Sequence, residues 1–318
     1  MIESSAHPTL SRPSLTIICP MKNEAGNIDA FFSRLRPILE SVVDSYEILC
    51  VNDGSSDDTL SRLLLEREKN PHLRIVDLSR NFGKEAALSC GIELATGDAV
   101  IPMDADLQHP PEVIPEMIRL WNEGYEVVLA KRHNRKMEYW IHRKMTEWFY
   151  RLQNKISEIH IPADVGDFRL LDRKVVEALK RLPERRRFMK GLFAWVGFRQ
   201  TTMNFDCEAR FAGVSHFSGW RLWNFALEGV TSFSTVPLRI WTYIGATISM
   251  FSLFFSIFLV IKTLIFGRDI PGYTSLITSI LFLGGLQLAG LGILGEYIGR
   301  IYGEVKQRPI YIIRDLYG

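Results

Sequence analysis

The residues best suited to chemistry are two carboxylates at the end of an apolar stretch. Asp104 and Asp106 are separated by one residue, and Gln108 stands two residues further along the chain. Divalent cations such as Mg²⁺ and Mn²⁺ bind hard oxygen ligands and often bridge protein carboxylates to substrate phosphates. The spacing therefore predicts a metal site at Asp104 and Asp106, with Gln108 as a further oxygen donor.

The segment from residue 14 to about residue 130 alternates apolar runs with amphipathic patterns of helical spacing. Because alternating strands and helices form a mainly parallel sheet covered on both faces, the segment predicts an α/β fold. Ligands of such sheets bind at the carboxyl ends of the strands, where Asp53 and the two carboxylates fall. The predicted strands are residues 14–20, 46–53, 73–79, 98–106 and 126–130. The predicted helices are residues 27–41, a second helix that is capped by Ser56 or Asp57, and residues 84–95.

Two phosphate-binding patterns and two classes of protein are excluded by the sequence. Neither a GxGxxG after the first strand nor a GxxxxGK[ST] is present, so dinucleotide and Walker-type phosphate binding are not expected. The 38 Lys and Arg residues nearly balance 36 Asp and Glu residues, which argues against a nucleic-acid partner. Hydrophobic residues make up 47% of the chain, which excludes a disordered protein.

Two long uncharged stretches near the C-terminus predict membrane-spanning helices. They run from Ile240 to Ile261 and from Ile270 to Gly295, and neither shows the polar stripe of a soluble core helix. As helices, each would reach across the ~30 Å of a hydrocarbon core. Basic residues flank the outer ends of the pair, whereas the connector holds only Arg268 and Asp269. By the positive-inside tendency, the pair is a hairpin with both termini in the cytoplasm.

These patterns divide the chain into four parts. The segment from Gly219 to Ser234 carries Trp220 and Trp223 at helical spacing, so it is interpreted as an amphipathic helix on the membrane, with packing on the soluble domain as the alternative. The predicted parts are a cytoplasmic α/β domain at 1–205, a juxtamembrane segment at 206–238, two transmembrane helices within 239–300 (about 240–263 and 272–297), and a cytoplasmic tail at 301–318.

The second apolar stretch contains small residues at four-residue spacing. These are Gly285 with Ala289, and Gly295 with Gly299 and Gly303. Small residues at this spacing let helices approach closely. They are compatible with packing inside the hairpin and with contact between copies in a homo-oligomer, and the sequence does not separate the two.

Several motifs, taken in their order along the chain, resemble those of a known protein family. PMKNEAGNI, VNDGSSDDT, RNFGKEAAL and MDADLQHPPEVI resemble the family 2 glycosyltransferases of the GT-A fold. GDFRLLDR, ERRRFMKGLFAWVGF, RFAGVSH and the apolar pair are similar to bacterial polyisoprenyl-phosphate glycosyltransferases of the GtrB type, which are related to dolichyl-phosphate mannose synthases. The resemblance covers residues 14–310 approximately, and it implies a Rossmann-like GT-A catalytic domain.

The resemblance implies that a nucleotide sugar is held at the strand ends. Asp104 would contact the nucleotide or the metal, and Asp106 with Gln108 would hold Mg²⁺ or Mn²⁺ on the diphosphate. For Asp57, helix capping is the preferred interpretation. Lys84 stays open between a phosphate contact and a surface lysine at a helix start. The implied nucleotide-sugar contacts are Pro20, Asn23, Glu24, Asp53, Lys84 and Asp104.

A second group of residues is implied on the acceptor side. Arg210 and His216 lie in RFAGVSH, where the family pattern is RxxGxSK, so His216 replaces a lysine and is only partly charged near neutral pH. Arg132 matches an arginine near the phosphates. The implied catalytic residues are Asp104, Asp106, Arg132, Asp164, Asp167 and Arg210, and the implied acceptor-phosphate contacts are Arg210, His216 and Arg143.

The implied reaction moves one sugar from a nucleotide sugar to a polyisoprenyl phosphate, with inversion at the anomeric carbon. UDP-glucose and undecaprenyl phosphate are the preferred substrates, and mannose or a sugar of the 4-amino-arabinose type is the alternative. The expected location is the inner or plasma membrane, with several spans and a cytoplasmic catalytic domain. A processive polysaccharide synthase would carry a QxxRW motif and more spans, and a non-catalytic scaffold or flippase would not need the intact carboxylate pair.

Overall fold

The computed structural model describes residues 14–132, 165–185, 187–206, 236–266 and 272–318. Within these ranges the chain forms one eight-stranded sheet flanked by helices, together with two long apolar helices near the C-terminus.

Four parallel strands form the centre of the sheet, as the alternation of apolar runs predicts. They are β1 (Ser14–Met21), β2 (Ser45–Asn52), β3 (Leu73–Leu78) and β4 (Ala99–Pro102), in the order β3-β2-β1-β4 across the sheet. Three helices connect them in turn: α1 (Ile28–Val42), α2 (Thr59–Lys69) and α3 (Lys84–Leu94). The predicted α/β fold with a mainly parallel sheet is therefore confirmed.

The first connecting helix shows how apolar spacing selects the packed face. α1 buries Ile28, Phe31, Phe32, Leu35 and Leu39 in the same apolar cluster as the inner strands. Residues three and four positions apart lie on one side of a helix, so this spacing turns a single face toward the sheet. Burying each of these large side chains contributes about 1.5–3 kcal/mol to folding.

The other half of the sheet contains an antiparallel strand that the sequence analysis did not anticipate. β6 (Val165–Asp172) lies between β4 and β5 (Val127–Arg132) and runs antiparallel to both. β7 (Gln200–Phe205) then pairs in parallel with β5 at the edge. The helices of this half are α4 (Ile114–Asn122), α5 (Arg173–Lys180) and α6 (Met189–Trp195).

The last residues of the chain were predicted as a tail, but the structure places five of them in the sheet. β8 (Ile313–Tyr317) pairs antiparallel with β3 and completes the order β7-β5-β6-β4-β1-β2-β3-β8. Arg314 Nη2 donates to the carbonyl of Ser79 (2.7 Å), and Arg314 Nη1 lies 3.5 Å from Asp77 Oδ2. Pairing supplies partners for backbone groups that an edge strand leaves open. This segment therefore belongs to the α/β domain.

Two long helices correspond to the two uncharged stretches. They are α7 (Val236–Phe266) and α8 (Tyr273–Val305). Among the described residues, one segment is long and apolar enough to cross a membrane, Phe282–Val305, and almost none of its apolar window is buried. The apolar segment found in α7 is shorter, Ile240–Phe255. The structure thus contains both predicted helices but gives one candidate span rather than two.

The close contact between α7 and α8 does not use the predicted small-residue spacings. Gly290 lies against the indole of Trp241, and a Cβ at Gly290 would overlap the indole ring. In the part of the chain that the structure describes, no atom lies within 4 Å of a Cβ built at Gly285, Gly295, Gly299 or Gly303. Among the described glycines of α7 and α8, Gly290 is therefore the one that lies in close contact with the other helix.

Candidate active site

A cleft of about 460 Å³ opens at the carboxyl ends of the central parallel strands. Its walls come from the ends of β1, β2 and β4 and from the start of α3. This is the edge at which ligands of parallel α/β sheets bind. The predicted site residues that line this strand-end cleft are Pro20, Glu24, Asp53, Lys84, Asp104 and Asp106.

Asn23 follows β1 but ties two loops together instead of lining the strand-end cleft. Its φ of 55° lies in the left-handed region, which asparagine tolerates better than most residues. The N–H of Ser56 donates to Asn23 Oδ1 (2.8 Å), and the N–H of Asn23 donates to Ser55 Oγ (2.9 Å). These bonds hold the loop that carries Glu24 against the loop that follows β2.

Asp57 lies at the start of α2, where the capping interpretation places it. Its Oδ1 accepts hydrogen bonds from the N–H (3.1 Å) and the hydroxyl (2.6 Å) of Thr59, and its Oδ2 accepts one from the N–H of Ala25 (3.3 Å). Burial alone would raise the pKa of Asp57, but these hydrogen bonds outweigh it and lower the pKa. These hydrogen bonds give Asp57 a structural role at the start of α2.

Asp53 shapes the loop that enters α3. The residue is 3% exposed, and its Oδ1 accepts the N–H of Phe82 (2.6 Å) while its Oδ2 accepts the N–H of Gly83 (2.9 Å). The next residue, Gly54, has a φ of 60° and touches the backbone of Asn81, which leaves no room for a side chain. Asp53 therefore sets the position of the first residues of α3 while it lines the cleft.

We expect Asp53→Asn to lower the free energy of unfolding by about 1–3 kcal/mol, because a buried backbone N–H loses its acceptor. Asparagine keeps one oxygen but directs an amide N–H at the second backbone N–H. Thermal unfolding of the detergent-solubilised protein measures the change. Asp58→Asn is the matched control, since Asp58 is exposed and its side chain makes no capping bond. Equal unfolding temperatures for the two variants would disprove this structural role of Asp53.

The chain turns immediately after β4 and brings two carboxylates to the cleft. β4 ends at Pro102, and both Asp104 and Asp106 line the cleft beyond it. Leu107 has a φ of 59°, and the N–H of Gln108 donates to Asp106 Oδ1 (3.1 Å), which closes the turn. The side chain of Asp106 is thereby held in place at the base of the cleft.

The two carboxylates fit a divalent cation that takes its remaining ligands from a substrate and water. Mg²⁺ in particular is commonly bound by one or two carboxylates together with substrate phosphates. Within the described ranges, no group of three or more His, Cys, Asp and Glu side chains forms a metal cage. Gln108 was predicted as a third oxygen donor, but it does not line the cleft and contributes its backbone N–H to the turn. Asp104 and Asp106 are therefore the candidate ligands.

Lys84 joins the two acidic sides of the site. Its Nζ lies 2.7 Å from Asp104 Oδ1 and 2.9 Å from Asp167 Oδ2, with 44% of the side chain exposed. Burial alone would lower the pKa of Lys84, but the charges of Asp104 and Asp167 outweigh it and raise the pKa above its usual value. Burial alone would raise the pKa of Asp167, but the positive charges of Lys84 and Lys190 outweigh it and lower the pKa below its usual value. Lys84 is therefore a positively charged bridge between two carboxylates.

A further group of charges near Asp167 was not included among the predicted site residues. Glu85 accepts a hydrogen bond from the N–H of Met189 (3.1 Å), and burial with the nearby charge of Asp167 raises the pKa of Glu85 to about 7. Burial lowers the pKa of Lys190 and brings the pKa of Arg169 down to about 10. Arg169 stands two residues after Asp167 in β6, in the segment whose motif resembles the acceptor side of the family, whereas Glu85 and Lys190 lie in helices far from Asp167 in the sequence, so only the fold reveals their proximity to it.

The raised pKa of Glu85 predicts a pH effect on stability. Its pKa is about 7 in the folded protein against a usual value of 4.5, so the unfolded state binds fewer protons between these two values. The contribution of Glu85 to stability therefore falls as the pH rises through this range. We expect Glu85→Gln to flatten the dependence of the unfolding temperature on pH, while the exposed-site control Glu68→Gln leaves it unchanged. Parallel curves for the two variants would refute the assignment.

Arg132 ends β5, and its backbone pairs with that of Phe205 in β7. Since β5 and β4 both run antiparallel to β6, they run in the same direction and end at the same edge of the sheet. The backbone of Arg132 therefore lies at the sheet edge that carries the cleft. The other predicted residues of the acceptor side, Arg143, Asp164, Arg210 and His216, lie outside the described residues, as does the amphipathic segment 219–234.

Comparison with known proteins gives matches along nearly the whole chain. The glycosyl transferase family 2 profile matches residues 16–180. The chain is 54% identical over 304 residues to an uncharacterized glycosyltransferase of Synechocystis sp., covering 96% of each protein. It is 50% identical over 300 residues to the SfII prophage-derived bactoprenol glucosyl transferase of Shigella flexneri, covering 94% of this chain and 97% of that protein. A mannosyltransferase structure from Pyrobaculum calidifontis, in complex with GDP-mannose and Mn²⁺, covers 68% of this chain and 61% of its own at a TM-score of 0.46 and 20% identity.

The mostly parallel sheet with carboxylates at its strand ends is the architecture of a GT-A glycosyltransferase. The chain belongs to glycosyltransferase family 2, within the GtrB-type group of polyisoprenyl-phosphate glycosyltransferases that its motifs resemble. The family assignment predicted from the motifs is confirmed.

Proposed function

We propose that this protein transfers glucose from UDP-glucose to a polyisoprenyl phosphate such as undecaprenyl phosphate. The observation that carries the proposal is the 50% identity to a bactoprenol glucosyl transferase over 94% of the chain. Identity of this extent includes both the α/β domain and the C-terminal helices. The strand-end cleft supplies a compatible site, because it combines acidic residues for a metal with a bridging lysine.

The donor would occupy the strand-end cleft. Asp53 holds the loop before α3, so the cleft wall is fixed before a substrate arrives. In the proposed assignment Glu24 and Asp53 contact the nucleotide, and Asp104 and Asp106 hold a divalent cation, Mg²⁺ or Mn²⁺. The chemistry that such a cation supplies is stabilisation of charge on the departing diphosphate.

The charge of the acceptor phosphate explains why the proposed reaction needs no strong general base. A lipid phosphate is anionic at neutral pH and can attack the anomeric carbon directly, whereas a hydroxyl acceptor gains about 10²–10⁴-fold from general-base catalysis. The remaining difficulty is repulsion between two phosphates. In the proposed assignment Arg132, Arg143, Arg210 and His216 counter this repulsion and position the acceptor. Lys84 adds a fixed positive charge beside Asp104, and Asp164 with Asp167 orients the sugar or acceptor.

Membrane attachment would bring the cleft to the acceptor. We assign α7 and α8 to a hairpin of two spans, supported by their lengths and by exposed apolar side chains such as Tyr243, Phe251, Leu264 and Leu288. The basic residues at the outer ends of the hairpin favour a cytoplasmic α/β domain. In this arrangement β8 returns the chain from the membrane to the sheet.

Competition between donors tests the proposal. Full-length protein in detergent is incubated with undecaprenyl phosphate and one labelled donor, UDP-glucose, UDP-galactose or GDP-mannose, with each unlabelled donor in turn as competitor, and with Mg²⁺, Mn²⁺ or a chelator. We expect metal-dependent labelling of the lipid from UDP-glucose, which unlabelled UDP-glucose suppresses and the other unlabelled donors do not. Labelling only from another donor would replace glucose in the proposal. Absence of labelled lipid with every donor would favour the non-catalytic scaffold.

A further inference from the structure

A second cavity, of about 450 Å³, lies between the start of α3 and the C-terminal end of α8. Four arginines line it, and we refer to it as the arginine cavity. They come from two separate parts of the chain, the loop after α5 and the last turns of α8 with the residues that follow: Arg185, Arg187, Arg300 and Arg308. The arginine cavity shares Gly83 and Lys84 with the strand-end cleft, so the two are neighbours.

The two walls of the arginine cavity are joined by hydrogen bonds. The N–H of Arg185 donates to both carboxylate oxygens of Glu304 (3.1 Å each), and Arg185 Nη1 donates to the carbonyl of Arg308. Arg187 Nη2 donates to the carbonyl of Leu182 (2.8 Å), which fixes its guanidinium in the wall. Hydrogen bonds therefore hold together the two segments that carry the arginines.

The lining has an excess of positive charge. Its ionisable side chains are five bases, the four arginines and Lys84, and two acids, Glu85 and Glu304. Outside the lining, Asp104 and Asp167 pair with Lys84, and Glu296 pairs with Arg300 (2.9 Å), so the excess comes from Arg185, Arg187 and Arg308. The carboxylate of Glu304 already accepts the backbone N–H of Arg185 on the opposite wall. Guanidinium groups bind phosphate oxygens through paired hydrogen bonds and hold anions better than lysine does. This lining suits a phosphate group.

The position of the arginine cavity indicates where that phosphate comes from. Arg300, Gly303 and Glu304 belong to the last turns of the candidate span Phe282–Val305, and Arg308 follows it directly. If α8 crosses the bilayer, as the proposed function requires, these residues lie at the level of the lipid headgroups. Basic pockets at this depth bind anionic headgroups in membrane proteins.

We propose that the arginine cavity binds the phosphate of an anionic membrane phospholipid, and this inference rests on the proposed membrane attachment. Its lining shares only Gly83 and Lys84 with the proposed donor cleft, and it includes none of the residues predicted to contact the acceptor phosphate. Because the loop before α3 separates the two cavities, a bound headgroup would lie against the residues that precede and include Lys84. Headgroup binding thus couples bilayer contact to the wall of the donor cleft.

Binding of short-chain phosphatidylglycerol to the full-length protein in detergent tests the inference. The variants are Arg308→Gln and the double substitution Arg300→Gln with Arg308→Gln. Lys306→Gln is the matched control, because Lys306 lies on the same segment but stacks on Tyr302 outside the cavity lining. Parallel arms use short-chain phosphatidylcholine and inorganic phosphate. Arg308→Gln guards against a folding artefact, because the exposed Arg308 contributes its carbonyl, not its guanidinium, to the bond with Arg185.

We expect the double variant to weaken phosphatidylglycerol binding at least about tenfold, as loss of charged hydrogen bonds does. Arg308→Gln should weaken it by a smaller factor, and Lys306→Gln should leave it unchanged. Equal weakening in Lys306→Gln would overturn the site in favour of diffuse surface charge. Displacement of the lipid by an equal concentration of inorganic phosphate would overturn the lipid source. Glucosyl transfer is assayed in parallel, so that absent transfer with intact lipid binding counts against the proposed function alone.

Discussion

Replacing Asp106 with asparagine is expected to lower the rate of sugar transfer by about 10³-fold, because metal stabilisation of a leaving group supplies several kcal/mol. Asparagine keeps the shape of the side chain and an oxygen that can accept the N–H of Gln108, so the turn after β4 should persist. What is lost is the negative charge that would hold the cation. Initial transfer rates at saturating UDP-glucose and Mn²⁺ measure the effect.

The matched control for this prediction is Asp98→Asn. Asp98 precedes the same strand at its opposite end, where its Oδ2 accepts hydrogen bonds from the N–H (2.9 Å) and the hydroxyl (2.7 Å) of Ser14. It lies outside the strand-end cleft, so its replacement should leave the transfer rate of the folded protein unchanged. An Asp106→Asn protein as active as Asp98→Asn would remove Asp106 from the metal site.

The second large effect is expected at Lys84. The Nζ of Lys84 lies 2.7 Å from Asp104 and 2.9 Å from Asp167. Replacing Lys84 with methionine removes the positive charge that these two carboxylates share. Loss of one positioned charge at a reaction centre costs about 10²–10³-fold in rate, and we expect a loss of that size. The ammonium is charged throughout the physiological range, so the deficit should not be recovered at any pH near neutrality.

Two further variants separate the charge of Lys84 from its structural role. Lys84→Arg keeps a cation and should retain more transfer activity than Lys84→Met. Lys174→Met removes an exposed lysine of α5 that is 4.0 Å from Glu126, and it should not alter the rate. Equal loss in the arginine and methionine variants, with unfolding temperatures like that of the unaltered protein, would show that geometry rather than charge matters here.

The sequence was sufficient for the central sheet and for the acidic end of the cleft. Because β1 to β4 are buried on both faces, each is a short apolar run bounded by turn residues. Such runs can be recognised from the sequence alone. Asp53 directly follows β2, Asp104 and Asp106 come two and four residues after β4, and parallel topology brings these strand ends to one edge. Local patterning therefore predicts both the fold and these three positions.

Contacts between distant segments could not be predicted in this way. Asp167 reaches Lys84 only because β6 inserts antiparallel between β4 and β5, and no local pattern specifies that insertion. β8 is five residues long and includes Arg314 and Asp315, so it resembles a charged tail until it is paired with β3. The helix contact at Gly290 depends on where Trp241 of another helix lies.

The chemical form of the lipid product tests the central claim most directly. Purified protein is incubated with UDP-glucose and undecaprenyl phosphate, and the lipid is analysed for the number of sugars per chain and for the anomeric configuration of the glucosyl phosphate. Direct attack by the lipid phosphate predicts a single glucose with inverted configuration relative to the donor. A retained configuration would contradict direct attack, and several sugars on one lipid would indicate a processive synthase instead.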